Sequence, residues 1–167
     1  MLYEQTTDEV EILTDIDSGD KTIGRKRQDL LEKSIGSYLV YIDDDDTISK
    51  TYIKRILMAL EASPDVIGLK GGWIKENGLN QIWWGLNYDW RNCGDHYEIG
   101  TNHITPVKRE IALKAGFPDI SIGEDQVYGR RVRKLAKTEI VIDEMIYFYN
   151  CDPKHQDVYE CVKRHGR

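Results

Sequence analysis

No run of apolar residues in this chain approaches the roughly 20 needed to cross a bilayer, and the N-terminus lacks the pattern of a secretory leader. Cysteine is scarce: Cys93, Cys151 and Cys161 are odd in number and widely spaced, with no Cys-x-x-Cys pair. That argues against a disulfide frame and against a zinc site, and it fits a reducing compartment. Positive charge is in deficit, with 23 Lys and Arg against 29 Asp and Glu. The net charge of −6 and a pI near 5.3 argue against a nucleic-acid surface driven by bulk electrostatics, although a local basic patch is still allowed. Repeats, low-complexity segments and linkers are absent too. A cytoplasmic protein of one domain over residues 1–167 is expected, with a core at about 10–150 and a polar tail at 151–167.

What the chain has in abundance is acid at one point. Asp43, Asp44, Asp45 and Asp46 follow an apolar run at 38–42, rich in aromatic and β-branched residues, that reads as a buried strand. Four adjoining carboxylates repel one another unless a cation sits among them. In open α/β sheets the C-terminal end of a strand is where ligands bind. Hard ions such as Mn²⁺ or Mg²⁺ favour carboxylate oxygen and commonly hold phosphates as well. The pattern therefore suggests a metal-diphosphate site; the plainer reading is an acidic turn and helix cap.

Around that point the elements alternate. Residues 10–16 read as a strand closed by turn residues, 22–34 as a helix ended by Gly36, and 38–42 as the next strand. That is a β-α-β unit with a right-handed crossover, its strands parallel neighbours. Ile48, Tyr52, Ile56 and Leu60 mark a packed helix, capped by Ser49 or Thr47 and stopped by Pro64. A short strand is expected at 66–69, strands at 81–87 and 96–99, a helix at 106–115, another at 126–137 and a strand at 139–149. Residues 73–99 hold all four tryptophans.

Gly24, Arg27, Gly36, the strand at 38–42 and Asp43 to Asp46 resemble the GT-A glycosyltransferases of family 2, whose pattern there ends in Asp-x-Asp-Asp. A second block, Gly116, Phe117, Pro118 and Asp119 followed by Gly123, Glu124, Asp125 and Arg131, resembles that family's Gly-Phe-Asp … Glu-Asp … Arg segment. The resemblance implies a GT-A, Rossmann-like α/β fold: three α/β/α layers, a mostly parallel sheet, and an N-terminus shortened by the family's first strand and helix. Where that strand is missing, its neighbours must pair directly or a partner must fill the gap, and a homo-oligomer is among the expectations.

By the same resemblance, Asp43 would contact the nucleotide ribose. Asp45, with Asp43, would form the DXD-type metal site for Mn²⁺ or Mg²⁺, and Asp44 and Asp46 would lie by the donor. Asp125 would be the general base on the acceptor hydroxyl, with Glu124 orienting it, giving inversion. Asp15 or Asp17 would contact the base of a nucleotide-sugar, a UDP-sugar being the expected donor. His155 stands where many relatives carry a metal-binding histidine, although its surroundings also fit a surface residue. Trp83, Trp84 and Trp90 could form a shelf for a carbohydrate or other hydroxyl acceptor, or pack a core, and Asn102 and His103 could hydrogen-bond a sugar. Arg27 reads either as a surface salt bridge or as the neutraliser of the donor carboxylates, and Glu124 with Asp125 either as acid–base pair or as acidic N-cap. Competing functions are a sugar-nucleotide-binding domain without turnover and a nucleotidyltransferase-like Mg²⁺-phosphate enzyme.

Overall fold

The computed structural model describes residues 2–75 and 78–150. Among them the elements run α1 (Ile23–Lys33), β1 (Tyr38–Leu39), β2 (Thr47–Ile48), α2 (Tyr52–Leu60), β3 (Val66–Lys75), β4 (Gly78–Gly85), β5 (Arg91–Asn92), β6 (His96–Gly100), β7 (Val107–Lys108), α3 (Arg109–Ala115), α4 (Glu124–Leu135) and β8 (Glu139–Asn150). His155 and the rest of the expected tail lie outside the described residues.

The helices form where caps and apolar spacing asked for them. Thr22 Oγ1 accepts from Arg25 N at 3.0 Å and starts α1. Ser34 ends it in extended backbone. Tyr52, Ile53, Ile56 and Ala59 make the buried stripe of α2. Its N-cap is Thr51, which makes no side-chain cap bond, and not the expected Ser49 or Thr47; Thr47 lies in β2, and Ser49 Oγ accepts from Thr51 N at 3.3 Å.

All eight strands join one mixed sheet. β3 is its axis, parallel to β8 along one edge and antiparallel to β4 along the other. Only β3·β8 and β4·β6 are parallel, and the other five pairings are antiparallel. The α/β class holds, but the expected mostly parallel sheet does not. One cause is that β3 and β4, consecutive in the chain, pair as an antiparallel ladder from Leu69↔Trp84 out to Lys75↔Gly78.

Successive residues of β3 point to opposite faces. Ile67 and Leu69 join a core with α2, Trp84, Ile146 and Tyr147. Val66 joins a second core with α1, α3 and α4, through Leu31, Ile111, Tyr128 and Val132. The layers are therefore α2, sheet, then α1 with α3 and α4.

The amino-terminal unit corrects the sequence reading. Residues 10–16 form no strand, so the expected β-α-β crossover does not exist. Asp15 is drawn to Lys21 Nζ at 3.1 Å and Asp17 to Lys26 Nζ at 2.8 Å, which fastens the segment to α1 instead of to a ladder. Val10 packs against the α2-side core, but Ile16 is 93% exposed, so the apolar alternation is not buried along its length. Residues 38–42 contribute only the short β1, antiparallel to β7 through Tyr38↔Lys108 and Leu39↔Val107.

Candidate active site

Two glycines let the helices approach the sheet end closely enough to build the site. A Cβ on Gly24 would lie 1.9 Å from Pro118 O, and one on Gly129 1.7 Å from Thr101 O. α1 therefore presses on the loop at 116–120, where Gly24 N donates to Ile120 O at 3.0 Å. Thr22 Oγ1 adds a bond of 2.5 Å to Asp119 Oδ1. α4 presses in the same way on the chain leaving β6. The two motifs, far apart in sequence, thus share one corner of the molecule.

Backbone pairing brings in the third party. Beyond β1, Tyr41 N donates to His103 O at 3.0 Å, which carries Asp43 alongside His103. His103 Nε2 lies 3.1 Å from Asp43 Oδ2. Its Nδ1 lies 3.4 Å from Asp125 Oδ2, in charge contact though short of hydrogen-bond alignment. Arg27 makes the parallel connection: Nη2 reaches Asp43 Oδ1 at 2.8 Å, and Nη1 pairs with Glu124 Oε1. Arg27, His103 and Glu124 are buried, whereas Asp43 and Asp125 keep partial exposure.

The electrostatics follow from this ring. Burial would raise Asp43, but His103 and Arg27 overcome it and hold its carboxyl well below the usual range. Asp125 is likewise lowered, burial being outweighed chiefly by His103. His103 moves the other way: burial opposes its charge, yet Asp125 and Asp43 raise it above the ordinary imidazole value. Glu124 is raised, first by burial and then by Asp125 beside it, in spite of Arg27. With His103 protonated, two cations face three carboxylates.

The acidic run itself is split between inside and outside. For Asp43 the cations among the carboxylates are Arg27 and His103, which lower it against burial. Asp46 accepts from Tyr147 OH, whose hydroxyl is raised by burial and by that carboxylate. Asp44 and Asp45 sit exposed on the turn, and among the described residues their side chains make no hydrogen bond or ion pair. Asp44 and Asp45 are therefore the residues of the run with oxygens open for a hard cation. A divalent ion commonly needs just one or two carboxylates when phosphate supplies the remaining oxygens. This donor set fits Mn²⁺ or Mg²⁺.

Asp125 is no helix cap. Gly123, at φ 78°, occupies the N-cap of α4, with Glu124 and Asp125 in the first turn. Nor is Arg27 a surface salt bridge. Arg27 is buried in the ring, and Arg131 Nη1 donates to Ala115 O and Gly116 O, both at 3.0 Å, closing the end of α3.

Other expected site residues lie elsewhere. Asp15 and Asp17 are held by lysines of α1 and its leading loop; Lys26, foremost, lowers Asp17 to about 2. Trp84 is a core residue, 2% exposed and packed edge-on to Tyr147, so it forms no acceptor shelf. Trp83 points to the other face, as strand alternation requires, and stacks on His96. Trp90 is 40% exposed beside Tyr97. Asn102 is buried and bonds its own loop, Oδ1 accepting from Ile104 N at 3.1 Å. His103, expected to hydrogen-bond a sugar, lies between the two carboxylates Asp43 and Asp125. Its signal in sequence was faint, a lone histidine with both partners remote, 60 residues away in the case of Asp43.

No family model matches the sequence, and a search of curated proteins found no match. Solved structures do match. The 1–349 region of S. aureus TarS in complex with UDP-GlcNAc superposes with a TM-score of 0.64 at 17% identity, over 89% of this chain and 47% of that one. The same region with UDP gives 0.60 at 19% identity, over 86% and 43%. TarS in a longer form gives 0.61 at 18% identity, over 89% and 27%. The chain thus spans less than half the length of these proteins. Its α/β fold is that of the GT-A-type glycosyltransferases.

Proposed function

We propose that this chain is a metal-dependent, inverting glycosyltransferase that moves a sugar from a nucleotide-diphosphate donor, a UDP-sugar, to an acceptor hydroxyl. The observation that carries this reading is the ring of Arg27 and His103, which ties Asp43 of the acidic run to Glu124 and Asp125. The fold adds support, since the TarS structures it resembles hold UDP and UDP-GlcNAc.

The chain's own residues divide the work. Asp45 would hold a divalent cation, which supplies charge stabilisation to the leaving diphosphate. The need for that cation follows from charge: exposed Asp44 and Asp45 beside an already acidic ring repel a bare diphosphate. Asp43, kept anionic by Arg27 and His103, retains lone pairs that can accept from a ribose hydroxyl. Asp125 takes the acceptor proton. The ring lowers its basicity, but a hydroxyl attacking an oxocarbenium-like centre is strongly acidified, so a weak, permanently ionised base suffices. Glu124, clamped by Arg27, fixes the first turn of α4 from which Asp125 projects.

A sugar-nucleotide-binding role without turnover is the second reading, favoured by the engagement of both Asp43 oxygens. Incubation with UDP-sugars, Mn²⁺ and a panel of hydroxyl acceptors separates the two. Metal-dependent release of UDP with a new glycoside of inverted configuration is expected. Metal-dependent UDP-sugar binding without UDP release under any condition would leave the binding role alone.

A further inference from the structure

On the face of the sheet opposite α2, beyond the helices, a second group of side chains converges at the β5–β6 hairpin. Donor atoms of Cys93, His96 and Glu98 all lie within 4.8 Å of one another. We propose that these three residues form a zinc-binding site, independent of the reading given above.

The imidazole is prepared for a metal. His96 Nδ1 lies 2.7 Å from Asp95 Oδ1, a contact that places the ring proton on Nδ1 and leaves the lone pair on Nε2. Nε2 is buried and has no hydrogen-bond partner. Trp83 stacks on the ring at 3.6 Å and 21°, which sets its plane. A buried, oriented acceptor left without a donor is uncommon in a folded protein, and the ligand atoms of the other two groups lie within 4.8 Å.

The second ligand is half-committed. Glu98 Oε2 takes Arg91, at 2.6 and 3.1 Å, whereas Oε1 is turned toward His96 Nε2 at 3.7 Å. Cys93 is brought beside them by the hairpin, its N donating to His96 O at 2.9 Å. The thiol is in no disulfide, is exposed, and lies beside the Arg91 guanidinium, which a metal would have to displace from it. Zinc bonds of about 2.0–2.3 Å put ligand atoms of one tetrahedron roughly 3.3–3.7 Å apart. A small turn of the exposed Cys93 side chain closes the difference.

Ligand chemistry selects the ion. Thiolate with imidazole and one carboxylate suits Zn²⁺ and is poor for Mg²⁺ or Mn²⁺, which seek oxygen alone. Three protein ligands leave the fourth position to water on the exposed Cys93 side. The absence of Cys-x-x-Cys spacing hid this site from the sequence, because only one of its ligands is a cysteine. Bound zinc would pin the edge strand β5 to β6, whose chain runs on to His103.

Cobalt substitution in the full chain, stripped of metal and kept reduced, tests the proposal. One equivalent of Co²⁺ should give a thiolate-to-cobalt charge-transfer band in the near ultraviolet, and one equivalent of Zn²⁺ should remove it. Cys93→Ser should lose the band, whereas Asp45→Asn should keep it, since carboxylate sites give no thiolate signal. Asp95→Ala should weaken zinc binding by roughly 10–100-fold through loss of the orienting contact. Absence of the band in the parent protein, or its persistence in Cys93→Ser through Cys151 or Cys161, would overturn the assignment.

Discussion

His103 Nε2 stands 3.1 Å from Asp43 Oδ2, joining residues 60 positions apart across the end of the sheet. The pairing exists because Tyr41, beyond β1, and His103, ahead of β7, share a backbone bond that sets the carboxylate of Asp43 beside the imidazole. The other face of the same ring meets Asp125. One buried histidine therefore sets the charge of the groups assigned to donor and acceptor alike.

That position predicts a pH dependence. His103 is raised in the folded state, so its contribution is complete below the unfolded value of 6.5 and is lost as pH rises through the higher folded value. Asp43 and Asp125 are lowered, so theirs is present above the unfolded 3.8 and is lost as acid protonates them in the native state. Urea midpoints should decline above pH 6.5 in the parent. His103→Gln should flatten that decline relative to the parent; an unchanged slope would place the titration on another group.

Asp45→Asn separates the metal from the ring. Asp45 is exposed and unpaired among the described residues, so the substitution should leave the melting temperature without metal unchanged. The stabilisation by Mn²⁺ with UDP should disappear. Calorimetry showing that the variant binds both as the parent does would move the metal elsewhere.

Asp125→Asn addresses the base. The amide keeps size and hydrogen bonding but accepts no proton. Transfer should fall by roughly 10²–10⁴, with donor affinity little altered. Because Gly123 is the cap of α4, no loss of helix capping obscures the result. Undiminished transfer would remove Asp125 from the chemistry.

Gly24→Ala tests the close approach that assembles the corner. By helix propensity alone, alanine within α1 should stabilise by about 1 kcal/mol. The Cβ would instead meet Pro118 O at 1.9 Å, backbone that cannot swing aside. A net loss of roughly 1–3 kcal/mol is expected, with donor binding weakened as Arg27 shifts. A stabilised variant in denaturant titration would contradict the packing.

How far the sequence reached depended on whether a feature was local. The stripe of α2, the bounds of α1 and β8, and the existence of α4, though its start lies two residues earlier than expected, were readable, because apolar periods are written within a few residues. The pairing of the Gly24–Arg27 motif with Glu124 and Asp125 was readable only through a resemblance, and the structure brings those residues into contact. Strand formation was misjudged at residues 10–16 and underestimated at Val66–Lys75, since a strand exists only where a ladder partner and a core face meet it. Trp83 and Trp84 looked alike in sequence, and strand alternation sent one to the core and the other to the opposite face. Above all, the charge state of the site belonged to tertiary structure. The acid-rich turn and the Glu–Asp pair were determined by residue order alone. Which carboxylates are neutralised, by Arg27, His103 and Tyr147, and which stay open, at Asp44 and Asp45, was decided by packing across up to 101 positions of chain, because Coulomb energy depends on distance in space and on burial.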